Sequence, residues 1–134
     1  MDAALLDTDI LNEVLKRKNQ TVVQHAAAYL RAHDEYALSA MTQYEVVRGL
    51  RYRKAGKLLT AFTTFCSRSL IVPIDGAILD RAAYLWIIGR KGGFPHRDAD
   101  LIIAATALEH GRTLVTGNTT HFQWVPDLKI DNWR

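Results

Sequence analysis

Short apolar runs alternate along this chain with longer segments in which apolar residues return every three or four positions. Ala3-Ala4-Leu5-Leu6 has the length of a buried strand. Thr8 to Lys18 follows, with Ile10, Leu11, Val14 and Leu15 on one helical face. A second helical pattern covers Thr21 to His33, and Tyr36 to Ser39 reads as a short strand. Helices are expected over Thr42 to Ala55, ending near Gly56, and from Lys57 to Ser67. Leu70-Ile71-Val72-Pro73-Ile74 is a strand stopped by proline, Asp75 to Lys91 a helix, and Gly92-Gly93-Phe94-Pro95 a loop. Asp98 to His110 reads as a helix closed by Gly111, Thr113 to Thr116 as a strand, and Leu128 to Ile130 as a terminal strand. This alternation predicts an α/β fold built on a parallel sheet covered on both faces. No repeat, low-complexity tract or linker interrupts the pattern, so residues 1–134 are read as one domain.

Ligands of such sheets bind beyond the carboxyl ends of the strands, which turns attention to the acids bordering the apolar runs. Asp7 closes the first run. Glu45 follows the Tyr36–Ala40 stretch, and Asp98 and Asp100 open Leu101-Ile102-Ile103-Ala104-Ala105. Carboxylates gathered at one edge repel each other unless a proton or a divalent cation neutralises them. A magnesium-type site acting on phosphate esters is the reading this pattern favours. Magnesium keeps much of its water and takes few carboxylates, so three or four acids suffice. Histidine is not needed, and His25, His33, His96, His110 and His121 are scattered without zinc-like spacing. Thr116 and Asn118 supply neutral oxygens able to hold the waters of a second ion.

Each acid also has a purely structural reading. Asp9 directly precedes Ile10-Leu11 and reads as the cap of its helix. Thr42-Gln43-Tyr44-Glu45 fits a capping box, in which Glu45 folds back on the Thr42 amide. Asp98 and Asp100 both fall where a helix dipole favours acids. Asp98 is read as the cap. Asp100 is read as the chemical residue, because it adjoins the buried apolar run.

Composition narrows the class. The chain has 134 residues, 49% of them hydrophobic and 23% charged, the balance of a water-soluble folded domain. Its single cysteine, Cys66, excludes an intrachain disulfide and reads as a small core residue. Met1-Asp2-Ala3-Ala4-Leu5-Leu6-Asp7 has acids where a signal peptide needs positive charge, and no segment has the length of a membrane span. A cytoplasmic location is expected, with no membrane contact. The net charge of +3 leans towards polyanions. Arg48, Arg51, Arg53, Lys54 and Lys57 follow Glu45, with further groups at Lys16-Arg17-Lys18 and at Arg90-Lys91 with Arg97. Any one run is ordinarily a solvated face; three flanking the acids favour a groove that follows a phosphate backbone. Trp133 reads as packing, Trp124 as either packing or base stacking, and Tyr44 and Tyr52 as core or dimer contact.

Four blocks, taken together, resemble the PIN-domain ribonucleases, and within them the VapC toxins of bacterial toxin–antitoxin pairs. They are Leu5-Leu6-Asp7-Thr8-Asp9-Ile10-Leu11; Ser39-Ala40-Met41-Thr42-Gln43-Tyr44-Glu45 with Gly49; Asp98 through Leu108; and Leu114-Val115-Thr116-Gly117-Asn118-Thr119-Thr120-His121-Phe122 with Pro126 and Leu128. They occur in the family's order, at its usual spacing. The resemblance implies a three-layer α/β/α fold with a mainly parallel sheet, a homodimer, and Mg2+- or Mn2+-dependent endonucleolytic cleavage of RNA. It implies a cognate antitoxin that covers the site, and contact with operator DNA only through that antitoxin. By matching positions it makes Asp7, Glu45 and Asp100 the principal acids. Two departures stand out: Asp9 where Asn is common, and no acid at Asn118 or His121, which weakens the case for a tightly held second ion. Two other readings compete. Asp7-Thr8-Asp9 is similar to the Asp-x-Asp motif of aspartyl-phosphate phosphatases, but no lysine follows a strand as that chemistry requires. A degenerate domain that binds RNA or protein without cutting is the non-enzymatic alternative.

Overall fold

The computed structural model describes residues 1–134. In chain order it contains β1 (Ala4–Leu6), α1 (Thr8–Lys16), α2 (Gln20–His33), β2 (Ala37–Ser39), α3 (Ala40–Tyr52), α4 (Gly56–Ser67), β3 (Leu70–Val72), α5 (Gly76–Gly92), α6 (Asp98–Glu109), β4 (Thr113–Val115), α7 (Thr119–Phe122) and β5 (Ile130–Asp131). All strand pairings are parallel. β1 pairs with β4 and β4 with β5, while β2 pairs with β3. The two ladders meet where β1 packs beside β2.

Side-chain alternation along the strands divides the core into two layers. Ala4, Leu6, Leu38 and Val115 face a cluster completed by Ile10, Leu11, Val22, Tyr29, Phe62 and Trp133, beneath α1 to α4. Leu5, Ala37, Val72 and Leu114 point the other way, onto Ile78, Leu85, Ile103, Ala104 and Phe122 of α5, α6 and α7. Helices on both faces of a parallel sheet give the expected three-layer α/β/α architecture. Small residues make α5 and α6 close partners: Ala82 and Gly89 of α5 and Ala104, Ala105 and Ala107 of α6 are buried.

The helix boundaries differ from the sequence-based expectation where a cap or a left-handed residue intervenes. α1 ends at Lys16, not Lys18, because Arg17 takes a left-handed conformation (φ 57°) and Asn19 caps α2 by accepting from the Val22 amide at 3.2 Å. α3 begins at Ala40, two residues early, since the Ser39 side chain accepts from the Met41 amide at 3.0 Å. Gly56, expected to end one helix, instead begins α4. α7 was not anticipated, and β5 lies at Ile130–Asp131, opposite Leu114 and Val115. No helix is long and apolar enough to cross a membrane.

Candidate metal centre at the carboxyl edge of the sheet

The carboxyl ends of β1 and β4 run into Asp7 and Thr116, both buried. The Asp7 amide donates to the Val115 carbonyl (2.9 Å), fixing the two strand ends together. The Asp7 carboxylate then accepts from the Thr8 amide at 2.8 Å and from the Thr116 hydroxyl at 2.8 Å. Asp7, rather than Asp9, is therefore the cap of α1. Capping and chemistry do not exclude each other in this residue. One oxygen closes the helix and the other faces Thr116.

Asp9 is released from the capping role and joins the cluster. It accepts from the Gly117 amide at 3.0 Å and lies 3.4 Å from the Thr116 hydroxyl. Thr116 in turn accepts from the Asn118 amide (2.9 Å), so its single proton is directed at the carboxylates. Thr116 and Asn118 thus meet the acids, though Asn118 does so through its backbone. Sequence reading missed Asp9 because a helix-start acid is explained locally; its contacts with Thr116 and Gly117, past the end of β4, exist only in three dimensions.

Glu45 reaches the same edge from α3. It accepts from the Thr8 hydroxyl at 3.0 Å, and the Thr42 hydroxyl, 3.2 Å from that of Thr8, donates to it in turn. The capping box expected between Thr42 and Glu45 does not form, because the helix already starts at Ala40 and Glu45 lies more than a turn inside it. Arg97 lies 3.9 Å from Glu45 and 4.0 Å from Asp100, and Arg48 lies 3.9 Å from Glu45. Asp100, in the first turn of α6, is also 3.5 Å from His121 Nδ1. Asp98 does not join this group. It is exposed at the start of α6, one residue past Arg97 at the cap position, and makes no capping hydrogen bond, so the cap expected of it does not form. Its neighbours are Leu79, Trp86 and Ile102, because α6 turns it towards α5.

Electrostatics single out Asp7. Burial, reinforced by the charges of Asp9 and Asp100, pushes its carboxyl from 3.8 up to about 7, against the lowering pull of the Thr116 and Thr8 hydrogen bonds. A carboxylate so disfavoured gains from a proton or a cation. No three acids or histidines form one coordinating shell. A magnesium ion needs no such shell, since it retains waters and takes one or two carboxylates. The hard-oxygen character of Asp7, Asp100 and Glu45 fits a divalent ion in chemistry, and these are the residues that could hold one.

Of the basic residues that follow Glu45, Arg48 and Arg51 lie on α3, Arg53 and Lys54 in the turn after it, and Lys57 in the first turn of α4. Tyr44 and Tyr52 are exposed there, not core, and Arg48 lies over the Tyr44 ring at 5.1 Å. Glu45 and Thr8 end a groove of about 630 Å³ between α1, α3 and α4, lined by Asn12, Leu15, Leu50, Arg53 and Phe62. Trp133 is buried against Tyr29 (5.6 Å), as expected of packing. Trp124 stacks on Phe94 (5.5 Å) and donates to the His121 carbonyl, which assigns it to packing as well. Cys66 is half-buried, and burial pushes its thiol up, consistent with an unreactive core residue.

Comparison with known proteins bears on the family and the fold. The chain is 24% identical over 133 residues to the ribonuclease VapC1 of Haemophilus influenzae strain R2866, covering 96% of each chain. Its fold is similar to VapBC2 from Rickettsia felis solved with a promoter DNA fragment, with a TM-score of 0.86 at 23% identity and 98% of each chain covered. It is also similar to a toxin-antitoxin complex from Klebsiella pneumoniae, with a TM-score of 0.73 at 27% identity and 98% of each chain covered. The PIN domain model matches residues 4–126, a span that contains β1 to β4 and every acid of the cluster. With that match over nearly its whole length, the chain belongs to the PIN-domain family.

Proposed function

We propose that this protein is a VapC-type toxin, an endoribonuclease that hydrolyses RNA phosphodiester bonds with the help of Mg2+ or Mn2+. The observation that carries the reading is the buried Asp7 carboxylate, pushed up to about 7 and neighboured by Asp9 and Asp100, at the carboxyl edge of a parallel sheet. When bound, a divalent ion supplies an acidified water as nucleophile and neutralises charge on the phosphate. Asp7 and Asp100 carry the ion. Thr116 orients Asp7 by donating to it, and the Asn118 amide keeps that hydroxyl pointed the right way. Glu45, steadied by Thr8, would complete the carboxylate set that holds the ion and its waters. Arg48, Arg51, Arg53, Lys54 and Lys57 follow the RNA backbone along the end of α3, contacting phosphates without selecting bases.

The partners follow from the relatives. The Klebsiella pneumoniae neighbour is a toxin-antitoxin complex, and this chain is proposed to bind a cognate antitoxin. Operator DNA is reached only through that partner, and the chain is proposed to act as a homodimer and a single PIN domain of the cytoplasm. Cleavage of a mixed RNA substrate by antitoxin-free protein tests the reading, run with Mg2+ or Mn2+, with chelator, and with Asp7→Asn. Discrete fragments lost in chelator and in the variant are the expected outcome. Intact RNA in every lane from folded protein transfers the assignment to an RNA- or partner-binding domain without cleavage.

A further inference from the structure

Arg134 lies where the acid cluster meets solvent. Its guanidinium is 3.6 Å from Asp9 Oδ2 and 3.6 Å from Glu13 Oε1, one helical turn further along α1. It rests on the Gly117 backbone so closely that a Cβ at Gly117 would run into it, and into Asp9 Oδ2 at 2.6 Å. The backbone that carries it is anchored. Trp133, beside it, is fully buried between Tyr29 and His25, and the Trp133 carbonyl accepts from His25 at 2.8 Å. The Arg134 amide donates to Asn132 Oδ1 at 3.0 Å, and β5 ties the preceding residues to β4. The backbone therefore delivers a permanent positive charge to one face of the cluster. Arginine keeps that charge at any pH of interest and has five donors to share.

A second divalent ion in a phosphoryl-transfer site sits about 3.5–4 Å from the first and needs its own carboxylate. Asp9 is the carboxylate next to Asp7, with the Thr116 hydroxyl 2.8 Å from Asp7 and 3.4 Å from Asp9, and its Oδ2 already takes the Gly117 amide and faces Arg134. Neither Asn118 nor His121 adds an anion on that side. We propose that Arg134 is a resident cation which takes the place of a second metal ion at Asp9, so that the protein loads one divalent ion per chain. The proposal rests on the metal-centre reading above. Arg134 is a positioning residue in this role: it neutralises Asp9 and Glu13 and limits the ion to the Asp7 and Asp100 side.

Titration of metal-stripped, antitoxin-free protein with Mn2+, following the signal of the free ion by electron paramagnetic resonance, tests this without relying on activity. The wild type is expected to bind one Mn2+ per chain, and Arg134→Gln to bind two, or to bind the second at least tenfold more tightly. Arg134→Lys keeps a cation in place and is expected to bind one. Circular dichroism on each variant establishes that it is folded. Identical stoichiometry and affinity in wild type and Arg134→Gln overturn the proposal while leaving the metal centre standing, as does a wild type that already binds two. Binding lost in Asp7→Asn supports the metal centre, whereas no Mn2+ binding by any variant removes the centre and the proposal together.

Discussion

Asp7 concentrates the conflict between folding and chemistry at the scale of one residue. Its carboxyl is pushed up to about 7 from 3.8, so between those values the folded protein holds a proton that the unfolded chain releases. Stability then falls as pH rises through this window, and the full cost is present above about 7. Without metal, Asp7→Asn removes the charge yet keeps a side-chain oxygen able to cap α1. It is expected to stabilise the metal-free protein at pH 8 by about 1–4 kcal/mol and to change little at pH 4. Urea unfolding in chelator at the two values measures this, and a variant less stable than wild type at pH 8 would contradict it. Asp98 offers the opposite test. It is exposed and uncapped, so Asp98→Ala is expected to leave RNA cleavage within about twofold of wild type, while Asp100→Ala lowers it by orders of magnitude; its own loss is limited to a helix-dipole contribution of about 0.3–1 kcal/mol. In the sequence both acids begin a helix, and only the adjoining apolar run singled out Asp100. Their separation depends on the direction in which α6 faces, towards β1 for Asp100 and α5 for Asp98.

Elements set the site by where they start. Ser39 caps α3 through the Met41 amide and so determines the helical phase that brings Glu45 against Thr8. Asp75 does the same for α5 through the Ile78 amide at 3.0 Å, but α5 carries none of the clustered acids. Removing each cap is expected to cost about 1 kcal/mol of stability. Asp75→Ala should leave cleavage unchanged, whereas Ser39→Ala should lower it as Glu45 loses its position. Comparing denaturation midpoints with initial cleavage rates separates the two effects, and equal loss of rate in both variants would show that stability alone governs them. Helix existence was legible from apolar spacing, because buried residues such as Ile78, Ala82, Leu85 and Gly89 of α5 repeat with the helical period. The starts were not, since a serine or aspartate before a helix competes with others one or two residues away, and the tertiary fit decides among them.

Across the whole molecule the acids occupy one edge, and the positive residues at the end of α3 extend from it. Phosphate contacts of this kind weaken with salt and do not distinguish bases. Arg51→Ala with Lys57→Ala is therefore expected to weaken RNA binding about equally for different sequences. The slope of log affinity against log salt should fall by about 1.4 in all, from about 0.7 per contact on a single strand. Filter binding across a salt series measures the slope; an unchanged slope would place the RNA elsewhere on the surface.

Sequence by itself determined that the chain is α/β with a parallel sheet, because side chains buried on both faces of a strand make continuous apolar runs such as Ala3 to Leu6. It also marked Asp7, Glu45 and Asp100, whose places at the borders of those runs follow from local pattern alone. Tertiary structure decided which neighbours joined them. Asp9 and Arg134 lie 125 positions apart in the chain yet within an ion pair of each other, as the Trp133 anchor and the β4–β5 ladder fold the end of the sequence across the site. No periodicity or spacing encodes such a meeting: it depends on the packing of a whole core layer, and only the assembled layer brings those two charges together.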